Sequence, residues 1–450
     1  MDFCDRFSDH FRLRTRDVYE PCKHYLSGLM QARKKNMERM AEVVPESDEQ
    51  VLQHFLSNSN WDERGVLDQV ALEADAFLGG TPESALLIDE SGITKKGNKS
   101  VGVARQWNGR LGKVDNCQVG VYAALSRGSR STLIDTRLYL PSSWVKDKAR
   151  CTVAGVPNQS RRAKSKPELA LEMVRYNRRL GVRFSWVGMD GLYGKDPALL
   201  RSLEGDGEIF VADVHKDQHM YLEDPQPVVP ESTIGRGRKR KRLVAQSENV
   251  RVDNWTKAQP ASAWKQVTLR DSSKGKLRVE VLHRRVWLWD GKETQARCWH
   301  LIVRREIKAQ DEIKYSLSNA SAHTPLQRLA QMQGQRYWVE RSFQDGKSQA
   351  GLDHYQARGW KAWHHHMALV MMAMLFMLKQ RIEHQDDLPL LSCSDIETLL
   401  AHFLPRRDVG VDEVIRQMEV RHKKRQASID FAYAKQQLEE GIPPVRNVTK

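Results

Sequence analysis

The sequence predicts an α/β domain interrupted by an all-β insertion and flanked by helical N- and C-terminal regions. Three observations predict it. Short apolar runs begin after Pro82 and then alternate with helix-like stretches. Residues 215–323 lose that alternation and read as strands without a helical period. From Thr324-Pro325, an N-cap followed by proline at the first helical position, the pattern turns helical and largely stays so.

Taken in order, residues 1–80 read as helices around Tyr25–Met30, Val51–Leu56 and Val66–Leu78, with turn and stop signals at Asn60-Trp61-Asp62-Glu63 and Gly79-Gly80-Thr81-Pro82. Residues 81–214 form the first part of the α/β domain. Ala85–Ile88, Cys117–Tyr122 and Thr132–Leu140 read as strands, Lys166–Leu180 as a helix, Phe184–Met189 as a strand, Pro197–Leu203 as a short helix and Ile209–Asp213 as a strand. The insertion, 215–323, contains strand-like Gln266–Leu269, Leu277–Leu282 and His300–Val303. Residues 324–382 return to the α/β domain, and 383–450 make a helical C-terminal region.

The 450 residues carry 72 Lys+Arg against 57 Asp+Glu, a formal net charge of +15. Acidic residues outnumber basic ones in 1–80, so the basic surplus lies beyond that segment and suits a polyanionic partner. The longest apolar run, Met367–Leu378, has about half the ~20 residues of a bilayer-spanning helix, so it predicts a buried helix and no membrane partner. The N-terminus lacks the basic start and apolar stretch of a secretory signal, and a cytoplasmic location is expected. The 6 cysteines have no CxxC spacing, which predicts reduced thiols, several of them in the core.

Two apolar runs each end on an acid, Leu86-Leu87-Ile88-Asp89-Glu90 and Trp186-Val187-Gly188-Met189-Asp190. In an open α/β sheet ligands bind in the crevice at strand ends, so the two aspartates are candidates for one site, although Asp also suits the turn after any strand. On a helix, Arg336, Glu340 and Lys347 project from nearly one face. The plain alternative is an exposed helix with an i,i+4 ion pair. Phosphodiester cleavage calls for paired divalent cations, carboxylates are their natural ligands, and Arg and Lys hold phosphates. The set fits that demand.

With these blocks the sequence resembles the DDE transposases of bacterial insertion sequences, specifically the cut-and-paste group with an RNase H-like (retroviral-integrase-like) catalytic domain interrupted by a β-rich insertion. That group carries Tyr, two residues, Arg, three residues, Glu, six residues, Lys. Here Arg336, Glu340 and Lys347 keep the spacing and Gln333 stands at the Tyr position. Further similar blocks are Ile88–Gly92, Lys95-Lys96-Gly97, Ser100–Gln106, Asn116–Val119, Asp190–Gly194 and Gly351–Gln356. The resemblance implies that Asp89, Asp190 and Glu340 are the catalytic, metal-binding triad for Mg2+, with Mn2+ able to substitute. It also implies double-stranded DNA as partner, both the terminal inverted repeats and the target, a homodimer on paired ends, and a bacterial, nucleoid-associated location. Glu90, next to Asp89, is an alternative ligand. An RNase H-like nuclease without strand transfer and a domesticated DNA-binding protein are the rival readings.

Further DNA contacts are expected from Arg336, Lys347, Lys95, Lys96 and Arg105, and from the basic run containing Arg238, Lys239 and Arg240, which equally suits a solvated loop. Of Trp255, Trp264, Trp287, Trp289 and Trp299 in the insertion, the resemblance implies that one can stack on a flipped base, whereas packing is the ordinary role for each. His364-His365-His366 point about 100° apart on a helix and are expected to pack rather than to share an ion.

Overall fold

The computed structural model describes residues 2–14, 16–109, 111–230, 241–272 and 275–440. Five helices lead: α1 (Asp2–Asp5), α2 (Tyr19–Gln31), α3 (Met37–Val43), α4 (Glu49–Ser57) and α5 (Glu63–Leu78). Asn36, Asp48 and Asp62 cap α3, α4 and α5 with side-chain oxygens, as short polar residues before an apolar-periodic stretch should. Strands β1 (Ala85–Thr94), β2 (Ala104–Asn108), β3 (Lys113–Arg127) and β4 (Arg130–Leu138) follow. Next come α6 (Ser142–Lys146), α7 (Lys148–Val153), α8 (Lys166–Leu180), β5 (Trp186–Met189), α9 (Gly191–Gly194), α10 (Pro197–Gly205) and β6 (Phe210–Val214).

The third stretch holds the small pair β7 (His219–Met220) and β8 (Val250–Arg251), then α11 (Val252–Lys257), β9 (Lys265–Ser272), β10 (Gly275–Leu288), β11 (Arg297–Glu306) and β12 (Ile313–Ser318). The chain ends in α12 (Leu326–Gln335), α13 (Tyr337–Ser348), α14 (Trp360–Glu383), α15 (Cys393–Phe403) and α16 (Val411–Glu439).

The mixed sheet runs β2-β3-β1-β5-β6-β12-β11-β10-β9, with β4 also paired to β3. β1, β5 and β6 are parallel, while β3 is antiparallel to β1 and β12 to β6. One expectation needs amending. Residues 215–323 are not wholly β, because α11 lies among the strands. Nor do β9 to β12 stand apart: β12 hydrogen-bonds along β6 and carries the sheet onward, which leaves β6 without an open edge. Sequence periodicity finds strands but not their neighbours.

A large apolar core extends from Phe7 to Ile396 and joins the N-terminal helices to the sheet, α5 directly on β3 and β4 and α2 and α4 through α14. α14 is buried on nearly every face, which fits its unbroken apolar run, and no helix of the described residues is long and apolar enough to cross a membrane. Helix 324 onward starts one residue later than the cap pattern predicts, with Pro325 rather than Thr324 at the N-cap. Among the described residues all six cysteines are free, and Cys22, Cys117, Cys151 and Cys393 are buried.

Candidate active site

The sheet register builds the site. Ile88 pairs with Met189 and Met189 with Ala212 across the three parallel strands, and the next residue of each strand is an aspartate: Asp89, Asp190 and Asp213. β5 ends at Met189, so Asp190 is free to cap α9, its carboxylate accepting from Leu192 N at 2.9 Å. Asp89 lies within β1 rather than at its end, because β1 continues against β3 to Thr94. Gly194 in α9 packs on the Asp213 carbonyl so closely that a Cβ there would sit 1.9 Å from it. That glycine lets the turn begun by Asp190 lie against β6.

Arg336 occupies the joint between α12 and α13 and faces this row. Its Nε donates to Asp213 Oδ2 at 2.8 Å, Nη2 lies 3.2 Å from Glu340 Oε1, and Nη1 lies 3.8 Å from Asp89 Oδ2. Asp213 is further fixed by the Ser316 hydroxyl at 2.5 Å. Asp89, Glu90, Asp190, Arg336, Glu340 and Lys347 line one cleft of about 1010 Å³. Glu340 is its outlying member, with 52% of its side chain exposed.

The electrostatics are those of crowded acids out of water. Burial raises Asp89, and the neighbouring Asp190 charge raises it further, to about 7, against the opposing pull of Arg336. Burial also raises Asp190 and Glu90, opposed by Arg336 and Lys166 respectively. Burial works against the Arg336 charge, but Asp213, Asp89, Glu340 and Asp190 together hold it on. Glu90 gives one oxygen to Lys166 at 2.7 Å, while its buried Oε2 has no hydrogen-bond partner. No three His, Cys, Asp or Glu among the described residues stand close enough to form a ready-made ion cage. The desolvated acids and the orphaned Glu90 oxygen nevertheless suit a hard cation, which would remove their mutual repulsion.

The other predicted contacts disperse. Lys95 and Lys96 line a separate cavity, not the carboxylate cleft. Arg105 is exposed on β2, two residues from Trp107 and therefore on the same face. Arg238, Lys239 and Arg240 lie outside the described residues. None of the five insertion tryptophans lines the cleft; Trp299 packs edge-on to Phe210 at 5.0 Å and bonds Glu204, and Trp264 lies under Arg305 at 3.9 Å. The tryptophan at the cleft is Trp107, 54% exposed. His365 and His366 are wholly buried, His365 stacked on Trp61 at 3.9 Å and His366 bonded to Tyr25 at 2.8 Å.

Sequence reasoning missed Asp213, Lys166 and Trp107. Asp213 had a signal: Phe210-Val211-Ala212-Asp213 is a third apolar run ending on aspartate, of the same form as the two that were singled out. Lys166 and Trp107 had none, because only the folded packing of α8 and β2 brings them beside the acids.

A family profile described as DDE superfamily endonuclease matches residues 6–276 of this chain. A probable transposase for insertion sequence element IS701 from Microchaete diplosiphon is 30% identical over 203 residues, which is 43% of this chain and 49% of that relative. The chain thus spans about half the length of the curated relative it matches. The profile match ends before α12, so it includes Asp89, Asp190 and Asp213 but not Arg336, Glu340 or Lys347.

Proposed function

The chain belongs to the DDE superfamily of endonucleases, and from that premise we propose that it is a cut-and-paste DNA transposase of an insertion sequence. One observation carries the reading: Asp89 on β1 and Asp190, one residue past the end of the parallel strand β5, meet in a cleft that Arg336 and Lys347 also face. We assign Asp89, Asp190 and Glu340 as catalytic carboxylates, with Glu90 beside them. The mixed sheet with β1, β5 and β6 parallel supports an RNase H-like domain whose sheet is extended by the strands of the insertion.

Asp89, Asp190 and Glu340 would hold divalent cations, Mg2+ by the hardness of the oxygen donors, and these would supply Lewis acidity for in-line phosphoryl displacement. The chain's own residues do the rest. Lys347 and Arg336 hold the phosphate that flanks the cut, Arg336 exchanging part of its carboxylate contacts for phosphate oxygens. Asp213 retains the Arg336 guanidinium through Nε, which leaves the two terminal nitrogens directed at the cleft. Hydrolysis frees a 3′-hydroxyl, and the same cleft then presents that hydroxyl to a target phosphodiester, with no covalent protein intermediate. Because each element end needs a cleft, two copies of the chain act on paired ends.

The test is cleavage of a plasmid carrying the gene with its native flanking DNA, in Mg2+, Mn2+ or EDTA. Metal-dependent release of the element and its joining to a second plasmid are expected, and Asp190→Ala should abolish both while retaining DNA binding. Cutting without joining supports a plain nuclease instead. An Asp190→Ala protein that still cuts removes Asp190 from the site.

A further inference from the structure

The segment 95–100 follows β1 directly, and its backbone is pinned rather than left to solvent. Asn116 donates from Nδ2 to the carbonyls of Lys95 at 2.6 Å and Gly97 at 3.0 Å, and Arg150 donates to that of Asn98. Just beyond, Val101 N donates to the Arg358 carbonyl at 2.9 Å, which ties the segment to the loop before α14. The cations on this fixed frame are treated differently. Lys34, Lys96, Lys99 and Arg358 are exposed, and none has a side-chain hydrogen bond or ion pair among the described residues.

All four line a cavity of about 880 Å³ between the turn before α3, the end of β1 and the 353–358 loop, with Phe431 of α16 on its wall. Its other two lysines are committed inward: Lys35 to Glu397 and the Leu29 carbonyl, each at 2.6 Å, and Lys95 to the Tyr355 carbonyl over that residue's ring. Asp353 is the only acid among the described lining residues. A solvated basic face needs no fixed backbone. Four cations held around one concave surface repel one another until an anion arrives, and that is the build of a phosphate cradle.

The place of the cavity points to the anion. Thr94 on its wall and Asp89 in the cleft are on one strand, five residues apart. At ~3.4 Å per residue they are about 17 Å apart, near half the ~34 Å turn of a B-form duplex. We propose that this cavity is a second phosphate-binding site, which grips the backbone of duplex DNA about half a helical turn from the bond held over Asp89 and Asp190. The inference rests on the reading of the chain as a DNA-cutting enzyme, yet it is measured by binding alone.

The full-length protein is titrated in EDTA with a 40-base-pair duplex of arbitrary sequence across a salt series. Against the wild type stand the variant Lys96→Ala/Lys99→Ala/Arg358→Ala and a charge-matched control, Arg179→Ala/Lys276→Ala/Lys308→Ala, whose sites lie outside both cavities. The expected result is that the cavity variant loses about 2 to 3 from the slope of log affinity on log salt, and binds ~10-fold or more weakly near 0.1 M salt, while the control keeps the wild-type slope. Equal losses in both variants, or none in the cavity variant, overturn the proposal. If the triple variant melts early, Lys96→Gln and Lys99→Gln are read singly, each for a slope loss of about 1. Plasmid cutting is scored separately: a slope loss in the cavity variant beside a wild type that never cuts leaves the cavity standing and removes the enzymatic reading, whereas a wild type that cuts beside a cavity variant whose slope is unchanged does the reverse.

Discussion

Asp89 shows at the residue scale what the cleft costs the fold. Its proton affinity in the folded protein exceeds the ordinary aspartate value of about 3.9, because burial and Asp190 penalise the charge. The folded state therefore binds more protons than the unfolded one between those two values, and this group's share of stability falls as pH rises. The penalty is absent near pH 4 and fully present above about 7. Asp89→Asn should accordingly raise the melting temperature at pH 7 in EDTA, with the gain vanishing near pH 4, while abolishing cleavage. A melting temperature at pH 7 equal to or below that of the wild type would show that Arg336 already neutralises the site. The acids were legible because each ends an apolar run. Their partnership with Asp213 and Lys166 was not, since a single sequence shows neither which strands are neighbours nor where α8 packs.

At the scale of the element, α8 links a local signal to the cleft. Ser165 and Glu168 form a capping box, proline follows at the start, and Gly181 closes the helix in the left-handed conformation, so the reading of 166–180 as a helix agrees with the structure residue for residue. Its first residue, Lys166, reaches Glu90 at 2.7 Å. Ser165→Ala should cost about 1 kcal/mol in urea unfolding with an unchanged slope. It should also lower cleavage more than that loss explains, because Lys166 holds Glu90 in the cleft; an unchanged midpoint would show that Glu168 alone closes the turn. Such elements are readable because their signals are contiguous. The joining of β12 to β6 is not, because nothing within either strand names its neighbour. The break at Arg336 is equally silent: a run that reads as one helix is two, with the cleft's arginine at the joint.

For the whole molecule, the large core running from the N-terminal helices through α14 contrasts with α16, none of whose described residues is buried. α16 is tethered by charge, Lys424 to Glu49 and Glu38 and Arg421 to Glu42. Surface pairs of this kind contribute little. A chain ending at residue 408 should melt within a few degrees of the full protein by calorimetry; a loss of cooperative unfolding would mean that α16 does more than its contacts imply. The basic surplus, the buried apolar helix and the free cysteines all follow from composition. How the first helices share a core with the last ones does not, because that packing joins residues more than three hundred positions apart.

The order of synthesis gives the Arg336 joint one more meaning. The ribosome delivers Asp89, Asp190 and Asp213 long before the cation that sits among them, and α14, which locks α13 and the N-terminal helices into the common core, comes later still. A nascent chain thus carries the row of acids with no arginine to balance it and no completed wall around it. The cleft is assembled from two distant parts of the chain, and it closes only after α13 and α14 have followed the acids out of the ribosome.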